Sequence, residues 1–184
     1  TMKAMVNTFS DYARMPAISQ ERTNLNQLIS AVIDLYRSAN PEARFALDFD
    51  PDLPAIQVDS GRLRQVFNNL VKNALEASGD RAHASIEVRT RRLHSENGEH
   101  MEIAIRDHGD GIPPELLANI FEPYVTTKTR GTGLGLAIVK KIIEEHGGLV
   151  TLENSEGGGA TATIQLPLTA EESPAIVRDQ RRIS

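Results

Sequence analysis

The sequence predicts an α+β domain with a largely antiparallel sheet. Helical and strand periods mix along the chain without regular strand–helix–strand alternation. Two pairs of strand-like segments are joined by short turns, "HSENGEH" and "SEGGG", as antiparallel neighbours require. The 184 residues suit one domain with some length left for tails, and 40% of them are hydrophobic, enough for one core. Aromatics make up only 4% and Trp is absent, so aliphatic side chains have to fill that core.

Taken in order, Met2, Met5, Val6, Phe9 and Ala13 recur at helical spacing until Pro16 stops the helix. "PAISQER" reads as a linker. A second helix carries Leu25, Leu28, Ile29, Val32 and Ile33 on one face. "RFALDFD" alternates Phe45, Leu47 and Phe49 at strand period, and "AIQVD" is another short strand. Asp59 or Ser60 caps the longest helix, "GRLRQVFNNLVKNALEAS". "ASIEVRTRRL" and "MEIAIRD" are strands. "PPELLANIF" is a short helix with Pro near its start. "GLGLAIVKKIIEEHGG" is a helix closed by Gly147 and Gly148. "LVTLEN" and "ATATIQLP" form the last hairpin. Residues 169–184 are polar and without period, and are expected to be disordered.

A formal charge of −5 argues against general nucleic-acid binding, which needs a basic surface. The absence of Cys removes disulfides and thiolate metal sites. No apolar run approaches a membrane span and no signal peptide opens the chain, so this piece is expected to be soluble and intracellular, without direct membrane contact. The abrupt start inside a helical pattern leaves room for a membrane-anchored parent.

On a helical wheel of the longest helix, Leu63, Val66, Phe67, Leu70, Val71 and Ala74 gather on one side. Arg62, Gln65, Asn69, Asn73 and Glu76 form the opposite stripe. That stripe suits a solvated face, yet Asn competes with the helical backbone and is a poor choice there. Asn69 and Asn73, four apart, point their amide oxygens one way and suit Mg²⁺ already bound to phosphates. Asp107 closes a strand just before Gly109 and Gly111. Its carboxylate could accept from the exocyclic amine of adenine, or belong to a tight turn of the kind that favours Asp and Gly. "RGTGLGLA" fits neither GxxxxGK[ST] nor a dinucleotide fingerprint. It is a glycine-rich loop entering a helix, where free N–H groups and the helix dipole favour phosphate. Lys128 and Arg130 lie just upstream and could add charge, or belong to an ordinary solvated loop.

In order, "NNLVKNALEA", "DHGDGI", "FEPYVTTK" and "GTGLGL" resemble the N, G1, F and G2 boxes of sensor histidine kinases, and "GGLVTLENSEGGGATATIQLP" resembles the end of their ATP-binding domain. The resemblance covers residues 25–167. It implies the Bergerat fold shared with gyrase, Hsp90 and MutL: a two-layer α/β sandwich with a mixed, mostly antiparallel sheet and helices on one face. It implies ATP or ADP and Mg²⁺ as ligands. Asn73 would be a Mg²⁺ ligand, with Asn69 supporting the metal or the phosphates. Asp107 would bind the adenine amine, while Gly109 and Gly111 give the nucleotide room and Ile112 completes that segment. Gly131, Thr132, Gly133, Leu134 and Gly135 would wrap the phosphates, and Thr161 would lie near the adenine. Residues 121–132 would be a lid over the nucleotide. Asn69 and Lys128 would act in phosphoryl transfer.

"FSDYARMP" resembles the second hairpin helix of nitrogen-regulation kinases of the NtrY type. The implied division is residues 1–16 as hairpin helix, 17–23 as linker, 24–168 as the ATP-binding domain and 169–184 as tail. The implied partners are the kinase's own phosphoacceptor hairpin, in a homodimer, and the receiver domain of a response regulator.

The sequence departs from the family pattern at Glu76, where some branches keep a basic residue that contacts phosphate, and at Ala162, where an aromatic is common. Family members phosphorylate a His in a motif like H-E-[IL]-[KR]-N-P. None of His83, His94, His100, His108 and His146 has those flanks. Two other functions stay open: an ATPase clamp of the gyrase or Hsp90 kind, and a nucleotide-binding module without catalysis. In the clamps a Glu one turn before the Mg-binding Asn activates water. Asn69 stands at that place and cannot serve as a general base.

Overall fold

Leu25, Leu28, Ile29, Val32 and Ile33 are three and four apart, and all five are buried on one face of helix α1 (Leu25–Ala39). The computed structural model describes residues 17–80, 83–125 and 134–168. Asn24 caps α1 by accepting from the Gln27 N–H at 3.1 Å. Ahead of it lies β1 (Glu21–Thr23), inside the stretch expected to be linker. Three residues carry too little pattern to announce a strand. The pairing partner supplies the reason, since β1 runs antiparallel to β3 (Ile56–Val58) with Thr23 opposite Ile56.

The main sheet has the order β2 (Arg44–Asp48), β4 (Ser85–Ser95), β5 (Gly98–Arg106), β7 (Ala160–Pro167), β6 (Leu149–Asn154). Only the β2–β4 pair is parallel, as the mixed, mostly antiparallel expectation has it. Strand alternation sets the two faces. Ile86 and Val88, Met101, Ile103 and Ile105, and Ile164 and Leu166 point into the core. Helices α1, α2 (Ser60–Ala77) and α4 (Gly135–Glu145) cover that face, and the short α3 (Pro114–Leu117) lies in the connection after β5. Each fully buried Leu, Ile or Phe contributes about 1.5–3 kcal/mol, which lets a core poor in aromatics hold the fold. The buried Thr90 is satisfied, donating to Asn26 Oδ1 at 2.9 Å and accepting from the Asp50 N–H at 3.0 Å.

Helix α2 starts where expected, with the Asp59 side chain accepting from the Arg62 N–H. Its wheel needs one correction. Arg62 does not share the open polar stripe; it is buried, paired with the Glu145 carboxylate of α4 and 3.6 Å from Asp59. The last turn of α4 covers this position, and a wheel of one helix cannot register what packs upon it. Helix α4 ends at Gly147, with φ of 73°; Gly147 and Gly148 N–H groups donate to the Glu144 and Ile143 carbonyls. His146 joins the same corner. Its Nδ1 donates to the Ile142 carbonyl at 2.7 Å and its Nε2 accepts from the Asp59 N–H at 3.0 Å, which assigns the neutral Nδ1–H tautomer.

Burial alone would raise the Asp59 carboxyl. Hydrogen bonds from the Ser19 and Arg62 N–H groups, with the Arg62 guanidinium beside them, outweigh it and hold the group below its ordinary 3.8. A lowered folded value means that this stability is fully present above 3.8 and fades as pH falls through the lower folded pKa. Asp59→Asn should therefore melt below the wild type at pH 7, and the two melting curves should converge on acidification below about pH 4. A gap that is constant from pH 7 to pH 3 would contradict this.

Candidate functional site

Asp107 follows directly on β5, the central strand of the sheet, and is buried. Its backbone extends the ladder, with the N–H donating to the Ala160 carbonyl at 3.0 Å. Its Oδ1 accepts from the Gly109 N–H at 3.0 Å and the Ala160 N–H at 3.2 Å. Among the described residues Oδ2 takes no hydrogen bond, so half of a well-held carboxylate is left to meet a donor.

Glycines let the turn after Asp107 press against its neighbours. A Cβ on Gly109 would lie 2.1 Å from the carbonyl oxygen of Ala77, the last residue of α2. The first demand on Gly109 is thus helix packing, where room for a nucleotide was expected. Gly111 has φ of 79°, and a Cβ there would meet Asn154 Oδ1 at 2.8 Å. Asn154 in turn holds Ile112 through two hydrogen bonds to its backbone.

The other end of the site is the start of α4. Leu134 occupies the cap position with its side chain fully buried, and its carbonyl accepts from the Ile138 N–H at 2.9 Å. Among the described residues no side chain caps this helix, and the helix dipole favours an anion at its first turn. Asn69 touches this start, its Nδ2 donating to the Gly135 carbonyl at 3.4 Å. Asn73 is half-buried one turn further along α2, and Ala77 one turn beyond that meets the Asp107 turn. From Asn69 to Ala77 the helix rises about 12 Å. A carboxylate acceptor at one end and an anion-favouring helix start at the other are therefore joined by a floor of amide side chains.

Of the residues expected here, the structure brings together Asn69, Asn73, Asp107, Gly109, Gly111, Ile112, Leu134 and Gly135. Lys128, Gly131, Thr132 and Gly133 lie outside the described residues, as does most of the expected lid; its first residue, Phe121, packs against the core. Thr161 is a correction. On β7 the residues facing the helices are Ala160, Ala162, Ile164 and Leu166, so Thr161 points to the opposite face, where its hydroxyl bonds Ser155 Oγ at 2.6 Å. A one-residue step in a strand reverses the side-chain direction, and Ala160 is the residue beside Asp107. Two positions were missed. Gly159 has φ of 78° and its missing Cβ would meet the Asp107 carbonyl at 2.1 Å. The run of three glycines was its only signal. Asn154 had none. His108, within the turn after Asp107, lies with Nε2 3.5 Å from Glu87 on β4.

Fold and site define a two-layer α+β nucleotide-binding domain of the Bergerat type. The chain belongs to the family of histidine kinase-, DNA gyrase B- and HSP90-like ATPases, which matches it over residues 58–170. The nitrogen regulation protein NtrY of Azorhizobium caulinodans is 40% identical over 91% of this chain and 22% of its own length. The nucleotide-free catalytic domain of histidine kinase ThkA superposes with a TM-score of 0.73 and 35% identity, over 84% of this chain and 99% of that one. ThkA in complex with the response regulator protein TrrA gives a TM-score of 0.77 and 30% identity, over 94% of this chain and 48% of that one. The chain spans between 22% and 48% of the length of the curated relatives it matches. It is thus a catalytic domain of the sensor histidine kinase kind. Among the described residues no helix is long and apolar enough to cross a membrane.

Proposed function

We propose that this domain binds Mg-ATP and transfers its γ-phosphoryl group to a histidine on a hairpin helix, for relay to an aspartate of a response-regulator receiver domain. The observation that carries this is the placement of Asp107 Oδ2 and the start of α4, which no described side chain caps, at opposite ends of the Asn69–Asn73 stripe. Asp107 accepts from the adenine amine. The first-turn N–H groups of α4 hold phosphate oxygens, with Gly131, Thr132 and Gly133 wrapping them and Lys128 adding charge. Asn69 and Asn73 fit Mg²⁺ that arrives on the phosphates, since they offer neutral oxygens on successive turns; Asn73 is the ligand and Asn69 supports it. The metal supplies neutralisation of phosphate charge.

In the transfer, a lone pair on an imidazole nitrogen forms the bond to γ-phosphorus. The bond from that phosphorus to the β,γ-bridging oxygen breaks, and ADP leaves with its electron pair. The protein's part is positioning and charge stabilisation. Asn69, where a clamp ATPase places its general base, favours kinase over ATPase chemistry. The whole protein acts as a homodimer, and this domain works on the cytoplasmic side of a membrane-anchored sensor.

The chain incubated with γ-labelled ATP and Mg²⁺ should bind nucleotide without labelling itself. A separate hairpin bearing the H-E-[IL]-[KR]-N-P motif should then acquire acid-labile label slowly, limited by the missing tether. Asn73→Ala should abolish the Mg²⁺-dependent part of binding and the labelling with it. Acid-labile label on the chain alone would overturn the assignment of the acceptor. Nucleotide binding with no transfer to any supplied hairpin would make this a non-catalytic module.

A further inference from the structure

We propose that Asn154 is a positioning residue for the base end of the site: its side-chain amide locks the turn from Asp107 to Ile112 in the form that presents the Asp107 carboxylate. This rests on the nucleotide reading of the pocket given above.

Asn154 is the last residue of β6 and is exposed, so it is not there to fill the core. Its Oδ1 accepts from the Ile112 N–H at 2.7 Å and its Nδ2 donates to the Ile112 carbonyl at 2.8 Å. One side chain thus satisfies both backbone groups of one residue, as a paired strand would. The turn it grips contains no helix or strand of its own.

The two holds on this turn share one support. Asp107 is fixed at the near end by Ala160, through backbone and side chain alike. Asn154 holds the far end, and Asn154 and Ala160 are register partners across the β6–β7 pair. The closing pair of that hairpin therefore grips both ends of the turn. Gly111 completes the arrangement, because a Cβ there would collide with Asn154 Oδ1. With Asn154 truncated, the Ile112 end keeps no hydrogen bond among the described residues, and the turn samples positions that carry Asp107 off the base. Only a side chain that donates and accepts at once can make this hold. Asp keeps the acceptor but sets its second oxygen against the Ile112 carbonyl.

The test measures binding of ADP and of adenosine by calorimetry to the wild-type chain, Asn154→Ala and Asn154→Asp, with amide exchange at Ile112 and thermal melts beside it. Asn154→Ala should bind both ligands roughly tenfold more weakly, since the loss is at the base end. The Ile112 amide should lose protection while the melting temperature stays close to that of the wild type. Asn154→Asp at neutral pH should be at least as weak. Wild-type ADP affinity in either variant, with the Ile112 amide exchanging freely, would overturn the proposal, as would a loss for ADP with none for adenosine. A wild-type chain with a protected Ile112 amide that binds neither ligand would refute the nucleotide reading instead.

Discussion

Asp107→Asn is expected to leave the domain folded and to weaken ADP binding roughly a hundredfold. The two backbone donors at Gly109 and Ala160 need one oxygen, and the Asn side chain still has one to offer them. What changes is the second position, where an oxygen facing an amine becomes an amide N–H₂ facing an amine. A lost acceptor and an opposed pair of donors together give the large effect. Asp107→Ala is the less selective variant, because it also leaves the two N–H groups unpaired beside a buried strand end, at about 1–3 kcal/mol each. Calorimetry and a thermal melt on both variants separate recognition from folding. Unchanged ADP affinity in a folded Asp107→Asn would remove Asp107 from the adenine site.

Gly159→Ala is expected to be the most damaging single methyl in the β6–β7 hairpin. Its Cβ would lie 2.1 Å from the Asp107 carbonyl oxygen and 2.9 Å from the His108 Cα. These are backbone atoms that cannot rotate away, so either the hairpin or the Asp107 turn must move. Left-handed backbone at φ of 78° adds about 1 kcal/mol for a residue with a side chain. With overpacking of about 1–3 kcal/mol the sum is about 3 kcal/mol, a fall in melting temperature on the order of 10 °C for a domain of this size. Gly158→Ala is the control. Its φ is 104°, but its nearest neighbour beyond the adjoining residues is 3.9 Å away, so it meets strain without collision and should lose about 1 kcal/mol. Equal melting temperatures for the two variants would show that the close approach at Gly159 carries no weight. Because the collision is with Asp107 itself, Gly159→Ala should also lower ADP affinity in whatever fraction stays folded.

Much of the fold was legible because each long element carries its own period. Helix α2 announced itself through six apolar residues on one face and a cap at Asp59 or Ser60, of which the structure uses Asp59. The sheet was legible as hairpins, since "HSENGEH" and "SEGGG" tie neighbours together over a few residues. β1 was not, because a three-residue strand exists only through its partner at β3. Arg62 was misjudged for a related reason: α4, 83 residues away at Glu145, covers it. At the site, Asn69 and Asp107 were visible as residue types in places where those types need explaining. Asn154 was invisible, being one polar residue at the end of a strand. Its meaning comes from Ile112, 42 positions earlier. Thr161 went wrong by one step, which in a strand is the whole difference between two faces.

The sequence by itself determined the types of the long elements, the aliphatic core, the family membership carried by four ordered motifs, and the residue chemistry offered to a nucleotide. These depend on composition and short-range spacing, which act within a few turns or one hairpin. Only the tertiary structure decided that the Asp107 turn abuts the end of α2 and that the start of α4 meets Asn69. It alone placed Asn154 and Ala160 at the two ends of one turn. Those are contacts between groups distant in the chain, and their requirement is spatial: a missing Cβ at Gly109 or Gly159 can be recognised as necessary only once the atom it would strike is in place.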